Sequence, residues 1–450
     1  MEENKMGVKP IASLLFSMGI PIMISMMIQA LYNVIDSIFI SRIGENALTA
    51  VSLAFPVQII MIAIGIGTAV GVNALLSRRL GEKRPDKASD VAMHGLLLAV
   101  ILAASIAIFG ATLPFWFIRM FTDDPQIVDM GNTYLVIITV FSLGMFGQLV
   151  LERIMQGTGD TIHPMITQGL GAIINIILDP ILIFGYFGLP AMGIKGAAVA
   201  TVIGQSIGML LGVYFLLTKI KVLTISFSDF KVRRKTLKGI YRVGLPSIIM
   251  QSIGSVMSVG MNSILIGFSS TAVAVFGVYF KLQSFIFMPL FGLTTAMISI
   301  VAFNFGAKNK KRITGTIKLT ALIAFCIMSL GTVLFNLFPV PLLKMFDASD
   351  EMLQIGVAAL KTISLHFPIA AIAIVLSVSF QAMGKGSYSL MMSVVRQLVV
   401  LLPAAYLLAR NGGINMTWYA FIIAEGFSIA MALIFFSRLY RTKIAVLEPA

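Results

Sequence analysis

Long apolar stretches alternate with short polar connections along the whole chain. A helix needs about 20 mainly apolar residues to cross the hydrocarbon core of a bilayer, and twelve stretches reach about that length. They are residues 11–41, 47–76, 92–118, 126–155, 164–188, 194–217, 243–266, 271–303, 313–338, 352–383, 387–408 and 416–436. Because only helices satisfy every backbone group within one such stretch, the pattern predicts an all-α integral membrane protein with twelve transmembrane helices.

The connections between these stretches differ in basic charge. Lysines and arginines concentrate in the amino terminus, in alternate connections and in the carboxyl tail, which predicts that both termini are cytoplasmic. Residues 219–242 form the densest stretch, with eight basic residues and one acid, Asp229. We therefore expect an amino-terminal six-helix lobe at 1–218, a basic cytoplasmic linker at 219–242, and a carboxyl-terminal lobe with a short tail at 243–450.

The two halves repeat at a constant offset equal to half the length of the chain. Matching positions include Gly19 and Gly244, Pro21 and Pro246, Gln58 and Gln283, Gly67 and Gly292, Gln156 and Gln381, and Gly159 and Gly384. Six helices separate equivalent positions, so both halves begin on the same side of the membrane. The repeat predicts two pseudo-symmetric six-helix bundles, and transporters built this way bind substrate between their lobes and alternate access by rocking them.

Composition supports a membrane protein and argues against other classes. The 450 residues are 58% hydrophobic and only 12% charged, with a mean hydropathy of +0.96. The net charge of +14 lies in short bursts between apolar stretches, so we expect no nucleic-acid partner. The single cysteine, Cys326, excludes a disulfide framework within one chain, and we expect it to be a small buried hydrophobic residue.

Two aspartates lie inside apolar stretches, where a carboxylate is costly and usually faces a protein interior or a water path. Asp36 falls near the outer end of the first helix, and Asp179 lies past the midplane of the fifth. Asn175 is one turn before Asp179 on the same face, and Thr201 lies about seven residues into the sixth helix. The four side chains are therefore predicted at one depth in the amino-terminal lobe.

Two carboxylates, an amide and a hydroxyl form an oxygen-rich site that suits a shared proton or a small cation such as Na⁺. We predict no other metal site. The alternative is that each aspartate caps a helix break or satisfies a backbone amide. At the repeat offset Asp36 matches Met261 and Asp179 matches Ala404, so the predicted coupling site belongs to one lobe only.

The carboxyl-terminal half carries its own charges inside apolar stretches. Lys281, Arg396 and Glu425 are candidates for an internal ion pair that lines a cavity. The repeat-related glutamines Gln58 and Gln283 are further candidate polar residues of the cavity. The alternative for the charged residues is structural pairing, or extension of the side chain toward the membrane interface.

Several stretches resemble the multidrug and toxic compound extrusion (MATE) family across essentially the whole chain. They are Asp36-Ser37 to Leu53-Ala54-Phe55-Pro56, Asn175-Ile176-Ile177-Leu178-Asp179-Pro180, Gly193-Ile194-Lys195-Gly196-Ala197-Ala198-Val199-Ala200-Thr201, Gly244-Leu245-Pro246-Ser247 and Asn304-Phe305-Gly306-Ala307. The bacterial multidrug exporters of the Firmicutes type are the branch that the chain resembles most.

The resemblance implies two six-helix bundles in a V shape, and export of organic, cationic compounds from the cell in exchange for H⁺ or Na⁺. It also implies that Asp36, Asn175, Asp179 and Thr201 hold the coupling ion. Some branches carry further acids on the seventh and tenth helices, whereas here the seventh helix offers Gln251 and Asn262.

The resulting expectation is a monomeric, multi-pass transporter of the cell membrane that contacts small amphipathic molecules and lipid, uses no organic cofactor and is not an enzyme. The competing function is a flippase for a lipid-linked oligosaccharide, which would be expected to place several basic groups around its cavity. An intramembrane enzyme would need clustered acids or a metal motif, and a channel would need a repeated polar ring.

Overall fold

The computed structural model describes residues 4–226, 228, 230–346 and 348–447, and these residues are helices joined by short connections. In the first half the helices are α1 (Lys5–Val8), α2 (Ile11–Ser41), α3 (Glu45–Gly81), α4 (Pro85–Thr112), α5 (Pro114–Arg119), α6 (Pro125–Val140), α7 (Leu143–Thr158), α8 (Ile162–Phe184) and α9 (Ile194–Thr218). In the second half they are α10 (Arg234–Leu265), α11 (Ser270–Gly306), α12 (Lys310–Leu337), α13 (Pro339–Lys344), α14 (Asp350–Ser364), α15 (Phe367–Ala382), α16 (Gly386–Val394), α17 (Leu402–Thr417) and α18 (Ala420–Leu439).

The predicted all-α membrane fold is confirmed. Among the described residues, ten single spans and two bent helix pairs are long and apolar enough to cross a bilayer, and together they make the twelve predicted spans. Two segments are π-helices. Val395–Leu401 joins α16 to α17, and Tyr440–Ile444 follows α18.

Two stretches predicted as single helices are bent pairs instead. The pair α6 and α7 bends by 45°, and the pair α14 and α15 bends by 49°. In the first pair the Thr139 hydroxyl donates back to the carbonyls of Leu135 and Val136, a pattern that bends helices. In the second pair Pro368 cannot donate to the Ser364 carbonyl, which accepts a hydrogen bond of 2.7 Å from the Thr332 hydroxyl instead.

The repeat extends to the helix bounds themselves. Three helices of the first half have partners in the second half whose first and last residues are shifted by the same offset as the sequences. The pairs are α3 and α11, α4 and α12, and the short α5 and α13. Lys83 and Lys308, which also match at this offset, both have positive φ, at 57° and 56°. The two halves therefore share connections as well as spans.

By spatial contact the chain divides into two compact units. Unit 1 contains the residues up to Met23 and those from Leu245 onward, and unit 2 contains Ile24–Gly244. The unit boundaries therefore fall inside α2 and α10, beside Pro21 and Pro246, rather than in the basic linker. Each unit combines most of one sequence half with the start of a helix from the other half.

In unit 1 the amino-terminal segment docks on α11 and α12. The Asn304 amide donates to the Met6 carbonyl at 3.0 Å, and the Arg312 guanidinium donates to the carbonyls of Met6 and Lys9 at 3.0 and 2.8 Å. A Cβ on Gly19 would lie 3.6 Å from the Leu293 side chain. The beginning of α2 is thus held by residues of the second sequence half.

In unit 2 the predicted linker is held against the start of α4. The Ser89 hydroxyl accepts from the Thr224 amide at 2.9 Å, and the Thr236 hydroxyl donates to Asp90 at 2.7 Å. His94 Nε2 accepts from the Arg233 amide at 2.8 Å. Helix α10 begins at Arg234, inside the stretch expected to be a linker.

One expectation about packing is wrong. Cys326 lies exposed on α12 rather than buried. An apolar residue on a lipid-facing helix surface and one in a protein core have the same sequence signature, because both surroundings are apolar.

Candidate functional site

The polar site lies in unit 2, where α2, α8 and α9 each contribute side chains. Asp36 stands near the end of α2, Asn175 and Asp179 one turn apart on α8, and Thr201 in the second turn of α9. Asp179 is fully buried and Asn175 is 3% exposed, whereas Asp36 and Thr201 are half-buried. The structure therefore brings the four residues together, and their depth in the bilayer stays a prediction.

The Asn175 amide connects α8 and α9, two of the three helices that carry the site. Its Nδ2 lies 3.4 Å from Asp179 Oδ1 and 3.4 Å from Thr201 Oγ1. With the amide flipped, so that its oxygen and nitrogen exchange places, Nδ2 donates to Asp179 Oδ2 at 3.3 Å and Oδ1 accepts from the Thr201 backbone amide at 3.1 Å. In the second orientation Asn175 satisfies both neighbours and leaves the Thr201 hydroxyl free to bind an ion.

The carboxyl groups of Asp36 and Asp179 interact directly with each other. Two carboxylates cannot share a hydrogen bond unless one of them carries a proton. Within the described part of the chain, no donor reaches Asp36 Oδ1 although that atom is buried. The pair therefore has an oxygen position that a proton or a small cation would fill.

Close packing of α8 and α9 sets the geometry of the site. A Cβ on Gly204 would lie 2.6 Å from the Gly171 carbonyl oxygen, and one on Gly171 would lie 2.9 Å from the Gly204 oxygen. A Cβ on Gly196 would lie 2.6 Å from the Leu182 backbone. Small residues at helix contacts let the backbones approach, and here that approach carries Thr201 to Asn175.

Pro180 lies directly after Asp179 and inside α8. Because proline has no N–H, the carbonyl of Ile176 one turn earlier loses its usual helical donor. That carbonyl is one more oxygen close to the aspartate.

Two tyrosines belong to the surroundings of the site and were not predicted from the sequence. Tyr32, one turn before Asp36 on α2, lies within electrostatic reach of both aspartates, as does Tyr134 on α6. Gln58 Nε2 donates to the Tyr134 hydroxyl at 2.8 Å, which brings this predicted glutamine to the edge of the site. The four-residue spacing from Asp36 could have identified Tyr32, since residues i and i+4 share a helix face.

The remaining predicted residues lie in unit 1. Arg396 Nη1 donates to Glu425 Oε2 at 3.2 Å, so two of the three candidate charges form a pair. The Lys281 ammonium lies over the Phe346 ring, 5.8 Å from its centroid, and Gln283 is half-buried on α11. The pair of aspartates is not repeated in the second half of the sequence, since Met261 and Ala404 hold their repeat positions.

The chemistry of the site in unit 2 follows from its donor set. Carboxylate, amide and hydroxyl oxygens are hard ligands, which bind protons and small cations rather than soft metals. With both carboxylates ionised and unoccupied, the buried pair is unstable because like charges repel in a medium of low polarity. One bound positive charge removes that penalty, so the site is suited to binding and releasing an ion.

Comparison with known proteins gives a consistent result. The profile of the family described as MatE matches residues 21–181 and 246–407, one match in each half of the chain. The described site residues Asp36, Asn175 and Asp179 fall inside the first matched range.

Individual relatives cover nearly the whole chain. A curated protein of Shewanella oneidensis named FAD transporter is 27% identical over 406 residues, which is 90% of each chain. A protein of Thermotoga maritima named probable multidrug resistance protein NorM is 25% identical over 433 residues, 94% of this chain and 91% of that one. A solved MOP superfamily transporter from Pyrococcus furiosus, described as having a binding pocket of reverse polarity, superimposes with a TM-score of 0.90 at 27% identity over 99% of both chains.

Proposed function

Because this chain belongs to the MatE family of membrane transporters, we propose that it is a secondary antiporter that exports organic compounds in exchange for H⁺ or Na⁺. Its cargo includes amphipathic organic cations. The coupling ion binds at Asp36, Asn175, Asp179 and Thr201. The protein acts as a monomer in the cell membrane, with both termini in the cytoplasm, which agrees with the distribution of basic residues.

One observation carries the proposal: the two interacting carboxyl groups, with Asp36 Oδ1 buried and without a donor in the described structure. A site with two ionised carboxylates loses one of its two negative charges when it binds a proton or Na⁺, and regains that charge when the ion leaves. The two states differ in charge at a buried position, and such a difference can couple ion binding to a change of conformation.

The direct test is ethidium transport by the purified full chain in lipid vesicles. A pH gradient and a Na⁺ gradient are imposed separately, and ethidium accumulation is followed by fluorescence. We expect one of the two gradients to drive accumulation and the other to have no effect. Equal, slow equilibration of ethidium under both gradients would contradict antiport.

Thr201 provides a narrower prediction. Replacing it by valine keeps the shape and removes the hydroxyl oxygen, whereas serine keeps the oxygen. For Thr201→Val we expect the ion concentration for half-maximal transport to rise about tenfold, because losing a hydrogen bond to a charged group has roughly that effect. Thr201→Ser should stay within about twofold of the unchanged protein. Equal values for both variants would show that the hydroxyl does not bind the ion.

A second class of cargo is supported by one relative, the FAD transporter of Shewanella oneidensis, which matches 90% of this chain. FAD is a dinucleotide with two phosphates, so the same vesicles should be tested with FAD as cargo. Transport of ethidium and transport of FAD are compared under the gradient that proves effective. Transport of ethidium alone would reject this second candidate.

A further inference from the structure

A cavity of about 170 Å³ with a partly polar lining lies within unit 1, where α10, α15, α16 and α18 meet. Its polar wall is formed mainly by Arg396, Gln381 and the serines Ser377, Ser393 and Ser428, and Met250 and Met392 add flexible apolar surface. None of the sequence-predicted coupling residues belongs to it. Arg396 lies in the π-helical segment Val395–Leu401, and such segments occur frequently at functional sites.

Several polar groups of this cavity have hydrogen-bond donors available for a ligand, although the Ser389 hydroxyl already donates to the Ser377 carbonyl at 2.6 Å. Ser393 Oγ accepts from Gln397 at 2.8 Å, so its own hydrogen remains available for another acceptor. Gln381 Oε1 accepts from Ser247 at 3.2 Å, so its Nε2 is the group left to donate. Among the described lining residues none carries a carboxylate, and Arg396 brings a permanent positive charge.

Glu425 forms an ion pair with Arg396 but does not itself line the cavity. Its carboxylate is 2% exposed, whereas the Arg396 side chain is 30% exposed. One guanidinium nitrogen bonds Glu425 at 3.2 Å, and the fork has five N–H donors in all. Tyr279 and His366 also lie within electrostatic reach of Glu425. Glu425 therefore orients the guanidinium and also reduces its net attraction for a second anion.

The repeat shows that this charge arrangement is particular to the second half. At the repeat offset, Ser377 corresponds to Glu152 and Arg396 corresponds to Gly171. In unit 2 Glu152 accepts from Gln148 at 2.9 Å, and Gly171 serves the close contact of α8 with α9. The second half thus has a hydroxyl in place of an acid and a guanidinium in place of a glycine.

We propose that this cavity binds the anionic group, a carboxylate or a phosphate, of an amphipathic cargo. The guanidinium and the hydroxyl and amide donors hold the anionic oxygens, and the methionine side chains contact the adjoining apolar part. The proposal rests on the proposed function as an exporter and adds a cargo class to it. A molecule that carries both a cationic and an anionic group fits the organic-cation cargo of the proposed function and also the anion site of this cavity.

The test uses the purified full chain in dodecyl maltoside and measures binding by calorimetry. The probes are phenyl phosphate and benzoate, with phenyltrimethylammonium as the matched cation of similar size. We expect the two anions to bind with measurable heat that saturates at one site, and an equal concentration of the cation not to displace them from it. Absence of saturable anion binding, or displacement of the anions by the cation, would overturn the proposal.

Three variants separate an anion site from a structural ion pair. Arg396→Gln should weaken anion binding about tenfold or more, because it removes the charged donors. Glu425→Gln should strengthen it several-fold, because the competing carboxylate is lost and the guanidinium stays. Lys344→Gln, at an exposed lysine of α13 in the same unit, controls for the loss of one positive charge and should leave binding unchanged.

A purely structural pair predicts a different outcome. Both Arg396→Gln and Glu425→Gln would then lower the melting temperature, and neither would change anion affinity. Ser393→Ala leaves the ion pair intact and should still weaken anion binding, which keeps the test valid if the charge variants fold poorly. Ser393→Ala with unchanged affinity would count against the site.

Two further measurements distinguish a lipid from a cargo molecule as the ligand, and failure of this proposal from failure of the proposed function. Displacement of phenyl phosphate by phosphatidylglycerol, but not by phosphatidylcholine, would identify a lipid headgroup as the resident ligand and overturn the cargo assignment. Anion binding is measured without a gradient, so it is independent of antiport. Binding without ethidium transport would reject the proposed function, whereas transport without anion binding would reject only this cavity's role.

Discussion

Asp36→Asn is expected to abolish the accumulation of cargo against its gradient. In an exchange of one proton for one cargo molecule, a gradient of two pH units supplies about 2.7 kcal/mol, which supports an approximately 100-fold concentration ratio of cargo. Asparagine has the size of aspartate but cannot carry the exchanged positive charge. The accumulation ratio should therefore fall to about one, while slow equilibration of ethidium continues. The measurement is ethidium fluorescence in vesicles under the effective gradient.

The packing of Asp36 makes this variant a clean test. Since Asp36 Oδ1 has no donor in the described structure, the amide breaks no hydrogen bond at that atom and removes a charge beside Asp179. We therefore expect the melting temperature of the purified variant to be unchanged or higher. Asp129→Asn, at an exposed carboxylate of α6, is the matched control and should accumulate ethidium normally. Full accumulation by Asp36→Asn would rule out the proposed coupling site.

Gly204→Val is expected to damage both stability and ion coupling. Its Cβ would lie 2.6 Å from the Gly171 carbonyl oxygen and 3.2 Å from Asn175 Cβ. Neither contact can be relieved by turning a flexible side chain, so α8 and α9 must separate. Overpacking of this kind costs about 1–3 kcal/mol, and backbone contacts place it at the upper end. Separation also moves Thr201 away from Asn175, so half-maximal transport should require at least about tenfold more coupling ion.

Gly426→Val provides the matched control for helix propensity. Gly426 also lies inside a helix, α18, and a Cβ there would meet no atom within 4 Å. The two melting temperatures are compared by fluorescence in detergent, and we expect a clear decrease for Gly204→Val only. Similar decreases for both variants would mean that loss of glycine, not the α8 and α9 contact, accounts for the effect.

The spans could be predicted from the sequence because they depend on local properties, whereas the depth of the site stays a prediction. Hydropathy determines which stretches can cross a bilayer, and the constant rise per residue of a helix converts position into depth. Asn175 and Asp179 share a face by helix periodicity alone. The pairing of Arg396 with Glu425 was among the alternatives because these charges are rare at such positions.

Other features depend on contacts that periodicity does not encode. Tyr134 reaches the site through the rotation of α6 about its axis, and the break before Ser142 has no proline to mark it. The docking of the linker depends on the backbone N–H groups of Thr224 and Arg233, which every residue type except proline would supply. The burial of Cys326 was predicted wrongly because a position that faces lipid and a position in the protein core have the same apolar sequence signal.

The placement of the amino-terminal segment in unit 1 also bears on the order of synthesis. Gly19 packs beside Leu293, and Met6 is held by Asn304 and Arg312, all of which are translated much later. At about 5–20 residues per second, Leu293 leaves the ribosome roughly 15–55 s after Gly19. The segment that contains Met6 and Gly19 must therefore wait in the nascent chain until its native neighbours have been translated.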